Sequence, residues 1–102
     1  MIMNRFAVLG LGNFGRHVAR TLYEANKTVI AIDSNSEVVQ ELAEYATQAV
    51  VADVTERASL ESLGVGDVDA AIVSLGARMD LSTLAVLHLK EMGVPFIAVK
   101  AL

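Results

Sequence analysis

Cysteine is absent from the 102-residue sequence. That excludes disulfides, thiolate metal sites and a cysteine nucleophile, and it suits a reducing cytoplasm. No stretch approaches the ~20 consecutive apolar residues of a membrane span, so direct insertion into a membrane is not expected. The opening Met1–Gly15 has a short apolar stretch broken by Gly10 and Gly12 and lacks a small-residue cleavage pattern, which argues against a signal peptide. Cations are scarce: 8 Lys and Arg stand against 12 Asp and Glu, a formal charge of −4. That balance argues against a nucleic-acid partner, whose footprint is normally a basic patch. Clustered carboxylates, metal-spaced histidines and a G-x-S-x-G elbow are also missing.

What the chain does have is apolar side chain, 54% of its residues. That fits a sheet covered on both faces, or an apolar face kept for a partner. Apolar runs at Arg5–Gly10, Thr28–Asp33, Gln48–Ala52, Asp69–Leu75 and Phe96–Lys100 read as five buried strands. Between them lie helical patterns. Phe14, Val18, Leu22 and Ala25 make an amphipathic helix with Asn26 at its C-cap. Ser36 caps a helix to about Tyr45, with Val38, Val39, Leu42 and Ala46 inward. Thr55 or Glu56 opens a helix carrying Leu60 and Leu63 and closed by Gly64. Asp80 caps a helix over Leu81–Met92, which Gly93 and the single proline, Pro95, end. Strict alternation with short connections predicts a doubly wound α/β domain, Rossmann-like, with a parallel sheet in the order 3-2-1-4-5. The chain stops two residues after the fifth strand, so a single domain over residues 1–102, truncated before a sixth strand, is expected.

Gly10-Leu11-Gly12-Asn13-Phe14-Gly15 is G-x-G-x-x-G, and it lies where a strand ends and a helix begins. In that context Gly10 permits the tight turn, Gly12 lets backbone N–H groups approach a pyrophosphate, and Gly15 lets the helix pack close to the strand. The helix N-terminus, at Asn13 and Phe14, adds unpaired donors and a partial positive charge. Asp33 ends the second strand roughly 20 residues beyond the glycines, where a carboxylate accepts from ribose hydroxyls and repels a 2′-phosphate, so NADP is disfavoured. Ser34 sits beside it, and Ser34 or Ser36 can supply the helix cap that is Asp33's alternative role. Asp53 ends the third strand; it either reaches an adenine edge with Val54 or caps the helix begun at Thr55. Leu75, Gly76, Ala77 and Arg78 follow the fourth strand across the crevice from the glycine turn. Arg78 and Arg16 are each either a solvated surface residue or a phosphate contact.

A dehydrogenase would add a proton donor and a substrate pocket, normally on a second domain. His17 and His88 both fall within helices, the first read as solvent-facing and the second as an interface or surface residue. No enzymatic activity is therefore expected. The helix Leu81–Met92 is apolar over well over half its circumference, more than one sheet face needs. The excess is buried either in a generous core, against another subunit, or against further chain.

FAVLGLGNFG, the AID ending at Asp33, VVADVTE around Asp53 and AAIVSLGA before Arg78 together resemble the N-terminal domain of RCK regulators, the KTN or TrkA-N domain. DLSTLAVLHLKEMGVPFIAVK from Asp80 is similar to the KtrA branch, which serves Ktr potassium uptake. The resemblance implies a cytoplasmic regulator that dimerises and, at full length, forms an octameric ring beneath a membrane potassium-translocating subunit. It implies that an adenine nucleotide, ATP/ADP or NAD/NADH, reshapes the ring and gates ion flux. It places Gly10, Gly12 and Gly15 at the phosphates, Asp33 at the ribose, Asp53 and Val54 at the adenine, and Gly76 to Arg78 with Lys100 at the phosphate or nicotinamide end. Asn13 stands where KtrA-type sequences often carry arginine, keeping hydrogen-bonding capacity without the charge. The family's crossover helix and C-terminal lobe are not in the sequence. Two other classes stay open: the cofactor domain of a dehydrogenase, and a structural module with permanently bound nucleotide.

Overall fold

A computed structural model describes residues 2–100. Five parallel strands, β1 (Arg5–Leu9), β2 (Thr28–Asp33), β3 (Gln48–Val51), β4 (Ala70–Val73) and β5 (Phe96–Val99), form one sheet in the order β3-β2-β1-β4-β5. Four helices cross between them: α1 (Asn13–Glu24), α2 (Ser36–Leu42), α3 (Arg57–Ser62) and α4 (Met79–Glu91). This is the doubly wound topology that the alternation predicts.

The strands read as continuous apolar runs because both faces are covered. Ala7, Leu9, Ile30, Ile32, Ala71 and Val73 pack with Leu60, Ala85 and Leu89 on one side. Val8, Val29 and Ala31 pack with Leu11, Ala19, Val39 and Leu42 on the other. Successive residues of β1 thus alternate between two cores, as the strand period of two requires. The register sets the functional rim: Leu9 lies opposite both Ile32 and Val73, and Asp33 opposite Val51. Strand order reverses at β1, so a crevice opens between the C-terminal ends of β1 and β4, where open α/β sheets hold ligands.

Several boundaries differ from the sequence reading. Asn35, not Ser36, caps α2, its side chain accepting from the Glu37 N–H. A 3₁₀ turn continues α2 over Ala43–Tyr45 and another, Val65–Asp67, precedes β4. α4 starts at Met79, with Arg78 in the cap position, so Asp80 lies within the first turn instead of capping it. There its negative charge suits the positive end of the helix. Along α4, Ser82, Ala85 and Leu89 are buried, while Leu84 and Leu87 face outward at 39% and 51% exposure. The core therefore does not absorb all of that helix's apolar side chains.

Asp69 stands just before β4 instead of opening it. Its carboxylate accepts from the Asn4 and Arg5 N–H groups at 2.8 and 3.0 Å and so pins the start of β4 to that of β1. The Asn4 bond, then that of Arg5, holds its carboxyl below the usual carboxylate value of 3.8. A carboxyl whose folded pKa is depressed adds stability that is fully present above the ordinary value and is lost as pH falls through the folded one. Urea midpoints are expected to stay level from pH 7 to about 5 and to drop below about pH 4. Asp69→Asn, which keeps an acceptor but cannot gain a proton, should flatten part of that drop. An unchanged acid limb in the variant would remove Asp69 from it.

Candidate nucleotide-binding site

The glycine turn is shaped by steric demands that differ from glycine to glycine. Gly10 has φ +99°, and a Cβ there would run into the Ser74 carbonyl oxygen of the neighbouring strand end. A Cβ on Gly15 would strike the Gly10 carbonyl oxygen, so Gly15 sets the close approach of α1 to the turn. Gly12 is different. It occupies the cap position of α1 with extended backbone, and a Cβ on it would meet nothing within 4 Å. A side chain there would only fill open space above the turn, the position from which backbone N–H groups reach a phosphate. Among the described residues no side chain caps α1, and its first turn holds no acid. A helix N-terminus in that state offers backbone N–H donors and a partial positive charge to an anion.

Asp33 locks this turn from β2. One carboxylate oxygen accepts from the Leu11 N–H at 2.7 Å and the other from Asn35 N–H at 2.9 Å. The second bond is a local turn, while the helix cap itself belongs to Asn35. A carboxylate has about four acceptor positions, so two remain for other donors. Asp53, two residues beyond β3, accepts through Oδ1 from both the Thr55 N–H (2.9 Å) and the Thr55 hydroxyl (2.6 Å). The hydroxyl, then the N–H, holds its carboxyl below the usual range. It orders the turn ahead of α3, and Oδ2 takes no part in these two bonds.

A cleft of about 100 Å³ runs between these groups, lined by Gly10, Asp33, Ser34, Asp53, Val54, Thr55, Leu75 and Leu81. Six of these are candidate residues of the sequence; Thr55 and Leu81 are additions. Leu81 lies in the first turn of α4, which borders the cleft. Gly12, Asn13, Phe14 and Gly15 lie on the adjoining helix end. Lys100 follows β5, its ammonium 5.6 Å from the Phe14 ring centroid, so the two candidates adjoin. Gly76 and Ala77 are exposed on the β4–α4 connection. Arg78 turns toward Asp80, 3.2 Å away, and Arg16 bonds Asn13 Oδ1 at 2.8 Å and pairs with Glu41. His17 is exposed, as expected. His88, read as an interface or surface residue, is partly buried: its side chain is 17% exposed and its Nε2 lies 3.0 Å from the Thr55 carbonyl. No local pattern signals that contact, which joins residues 33 positions apart.

The model of the TrkA-N domain family matches residues 6–102. The chain belongs to the TrkA-N family. This TrkA-N chain is 45% identical over 97 residues to the Ktr system potassium uptake protein A of Bacillus subtilis (strain 168), covering 95% of the chain and 44% of the relative. It is 42% identical to Ktr system potassium uptake protein C of the same organism, over 94% of the chain and 43% of that protein. It is 39% identical to the Ktr system potassium uptake protein A of Vibrio alginolyticus, over 95% and 44% respectively. The chain thus spans less than half the length of these relatives. A crystal structure described as the NAD(P)-binding domain of an exopolyphosphatase-related protein from Archaeoglobus fulgidus superposes with a TM-score of 0.81. It is 24% identical and covers 96% of this chain and 73% of that one, a likeness of fold. Among the described residues no helix is long and apolar enough to cross a membrane.

Proposed function

We propose that this chain, as a single domain over residues 1–102, is the nucleotide-sensing part of a protein that regulates potassium uptake. It binds an adenine nucleotide without transforming it. The observation that carries the reading is the convergence at the C-terminal rim of the sheet of the uncapped α1 N-terminus, the open face of Gly12, and Asp33 and Asp53 on the cleft. In this reading the phosphates lie at Gly10, Gly12 and Gly15 with the N–H groups of Asn13 and Phe14. Asp33, with Ser34, takes the ribose hydroxyls. Asp53 Oδ2 accepts from the adenine amine beside Val54. Leu75, Gly76, Ala77, Arg78 and Lys100 face the phosphate or nicotinamide end. The nucleotides are ATP/ADP or NAD/NADH, and the Asp33 carboxylate disfavours NADP.

Identities of 39–45% to Ktr potassium uptake proteins support a membrane potassium-translocating subunit as partner, with the chain cytoplasmic at the inner membrane face. The outward Leu84 and Leu87 support a homodimer, and an octameric ring is the full-length assembly. A nucleotide gates such a ring only through unequal affinity for its two states. The test is thermal denaturation with ATP, ADP, NAD, NADH and NADPH. A ligand stabilises by ~2.7 kcal/mol at a hundredfold excess over Kd. More than one of the first four should raise the melting temperature, and NADPH should not. No shift from any of them overturns the reading, and an equal shift from NADPH overturns the Asp33 part.

A further inference from the structure

We infer that His88 is a positioning residue that sets the base selectivity of the cleft, holding the Asp53–Thr55 turn in place from α4. The inference rests on the nucleotide reading above. Asp53 lies beyond the last ladder position of β3, and α3 does not begin until Arg57. The intervening turn keeps its shape through its own bonds, from Thr55 to Asp53 Oδ1 and from the Glu56 N–H to the Asp53 carbonyl at 3.1 Å. The start of the turn is held to β2 by the Ala52 N–H, which donates to the Asp33 carbonyl at 3.1 Å, and Val54 is buried in the core. A further tether, at the Thr55 end, comes from His88, whose Nε2 sits 3.0 Å from the Thr55 carbonyl. A carbonyl only accepts, so Nε2 carries the proton and donates.

The opposite ring nitrogen has a different setting. Nδ1 is buried without a hydrogen-bond partner among the described residues, 3.7 Å from Glu91 Oε1. Glu91 in turn reaches Arg57 at 3.4 Å, and Arg57 pairs with Glu61 at 2.6 Å. The last two turns of α4 therefore hold both the end of the turn and the first residue of α3. Two turns earlier on the same helix, Leu81 forms part of the cleft wall. One rigid element supplies a wall of the base pocket and a tether of the carboxylate that reads the base. A displaced Thr55 carries Asp53 with it, because the two share hydrogen bonds through a single oxygen.

The test is calorimetric titration of the purified chain with ADP and IDP, for the unmodified protein, His88→Gln and His88→Leu. Hypoxanthine presents a carbonyl where adenine presents an amine, so an ionised Asp53 rejects it. The unmodified chain should favour ADP by about tenfold or more. His88→Gln, whose amide nitrogen can still donate to the Thr55 carbonyl, should keep most of that ratio. His88→Leu should bring it to below about threefold while IDP affinity stays within about threefold of its starting value. Loss of both ligands in parallel, or an unchanged ratio in His88→Leu, overturns the His88 assignment and leaves the nucleotide reading standing. An unmodified chain without selectivity overturns the Asp53 contact and this inference with it. Binding of neither ligand overturns this inference, and the nucleotide reading falls with it only if ATP, NAD and NADH also fail to bind.

Discussion

Gly12→Ala is expected to leave the chain folded and to weaken nucleotide binding at least about tenfold, whereas Gly15→Ala is expected to destabilise the fold. The two glycines belong to one motif and differ in what surrounds them. At Gly12 the added methyl enters open space on an extended backbone that alanine adopts readily, so the cost is that of a poorer helix cap, within about 1 kcal/mol. That same methyl occupies the approach to the N–H groups at the α1 N-terminus. At Gly15 the methyl meets the Gly10 carbonyl oxygen, a backbone atom at the foot of a positive-φ turn with no side-chain rotamer to relieve it. Overpacking of that kind should cost about 3 kcal/mol or more, a melting-temperature drop of roughly 12–24 °C for a domain this small. Melting curves of both variants with and without ADP separate the effects. A Gly12→Ala protein that binds normally would remove the phosphates from this turn.

Asp33→Ala should lower affinity for every adenosine ligand by roughly 10- to 150-fold, the worth of hydrogen bonds to a charged acceptor. It should also lower stability by about 1–3 kcal/mol, because the Leu11 N–H loses its acceptor in a residue with no exposed surface. The binding term is distinguished by preference: removing the carboxylate removes its repulsion of a 2′-phosphate, so the ratio of NADH to NADPH affinity should fall. Titration calorimetry with ADP, NADH and NADPH at a temperature where the variant is fully folded reads both effects. Affinities that match those of the unmodified chain would take Asp33 out of the ribose role and leave it a bracket for the turn.

Much of this was legible in the residues. β2 spans the same Thr28–Asp33 as its apolar run, because polar residues bound it on both sides and both its faces are covered. Asn26 is left-handed at φ 66°, as its place after the α1 pattern implies. The glycine turn, Asp33 and Asp53 meet along one rim because parallel strands all end there. What escaped the sequence depends on local competition or on tertiary contact. Ser34, Asn35 and Ser36 are three good cap formers in a row, and the choice falls to Asn35 because Asp33 already bonds the Asn35 N–H. Asp69 reads as strand by its neighbours, yet serves two N–H groups far away in sequence. His88 looks like an ordinary helical residue until the fold brings α4 against the turn ahead of α3.

The central strand has a consequence for how the chain comes together. β1 pairs with β2 from Arg5 opposite Thr28, and with β4 from Phe6 opposite Ala70. Among the described residues all ladders are parallel and no hairpin offers a fast local nucleus, so each pairing must first close a long loop. As the polypeptide leaves the ribosome, its first strand has one flank covered early. The other flank stays bare until β4, which begins at Ala70, has been made, and the Asp69 clamp engages only at that moment. Folding is thus delayed by topology, and the interval before β4 arrives is when the nascent chain most needs protection from aggregation.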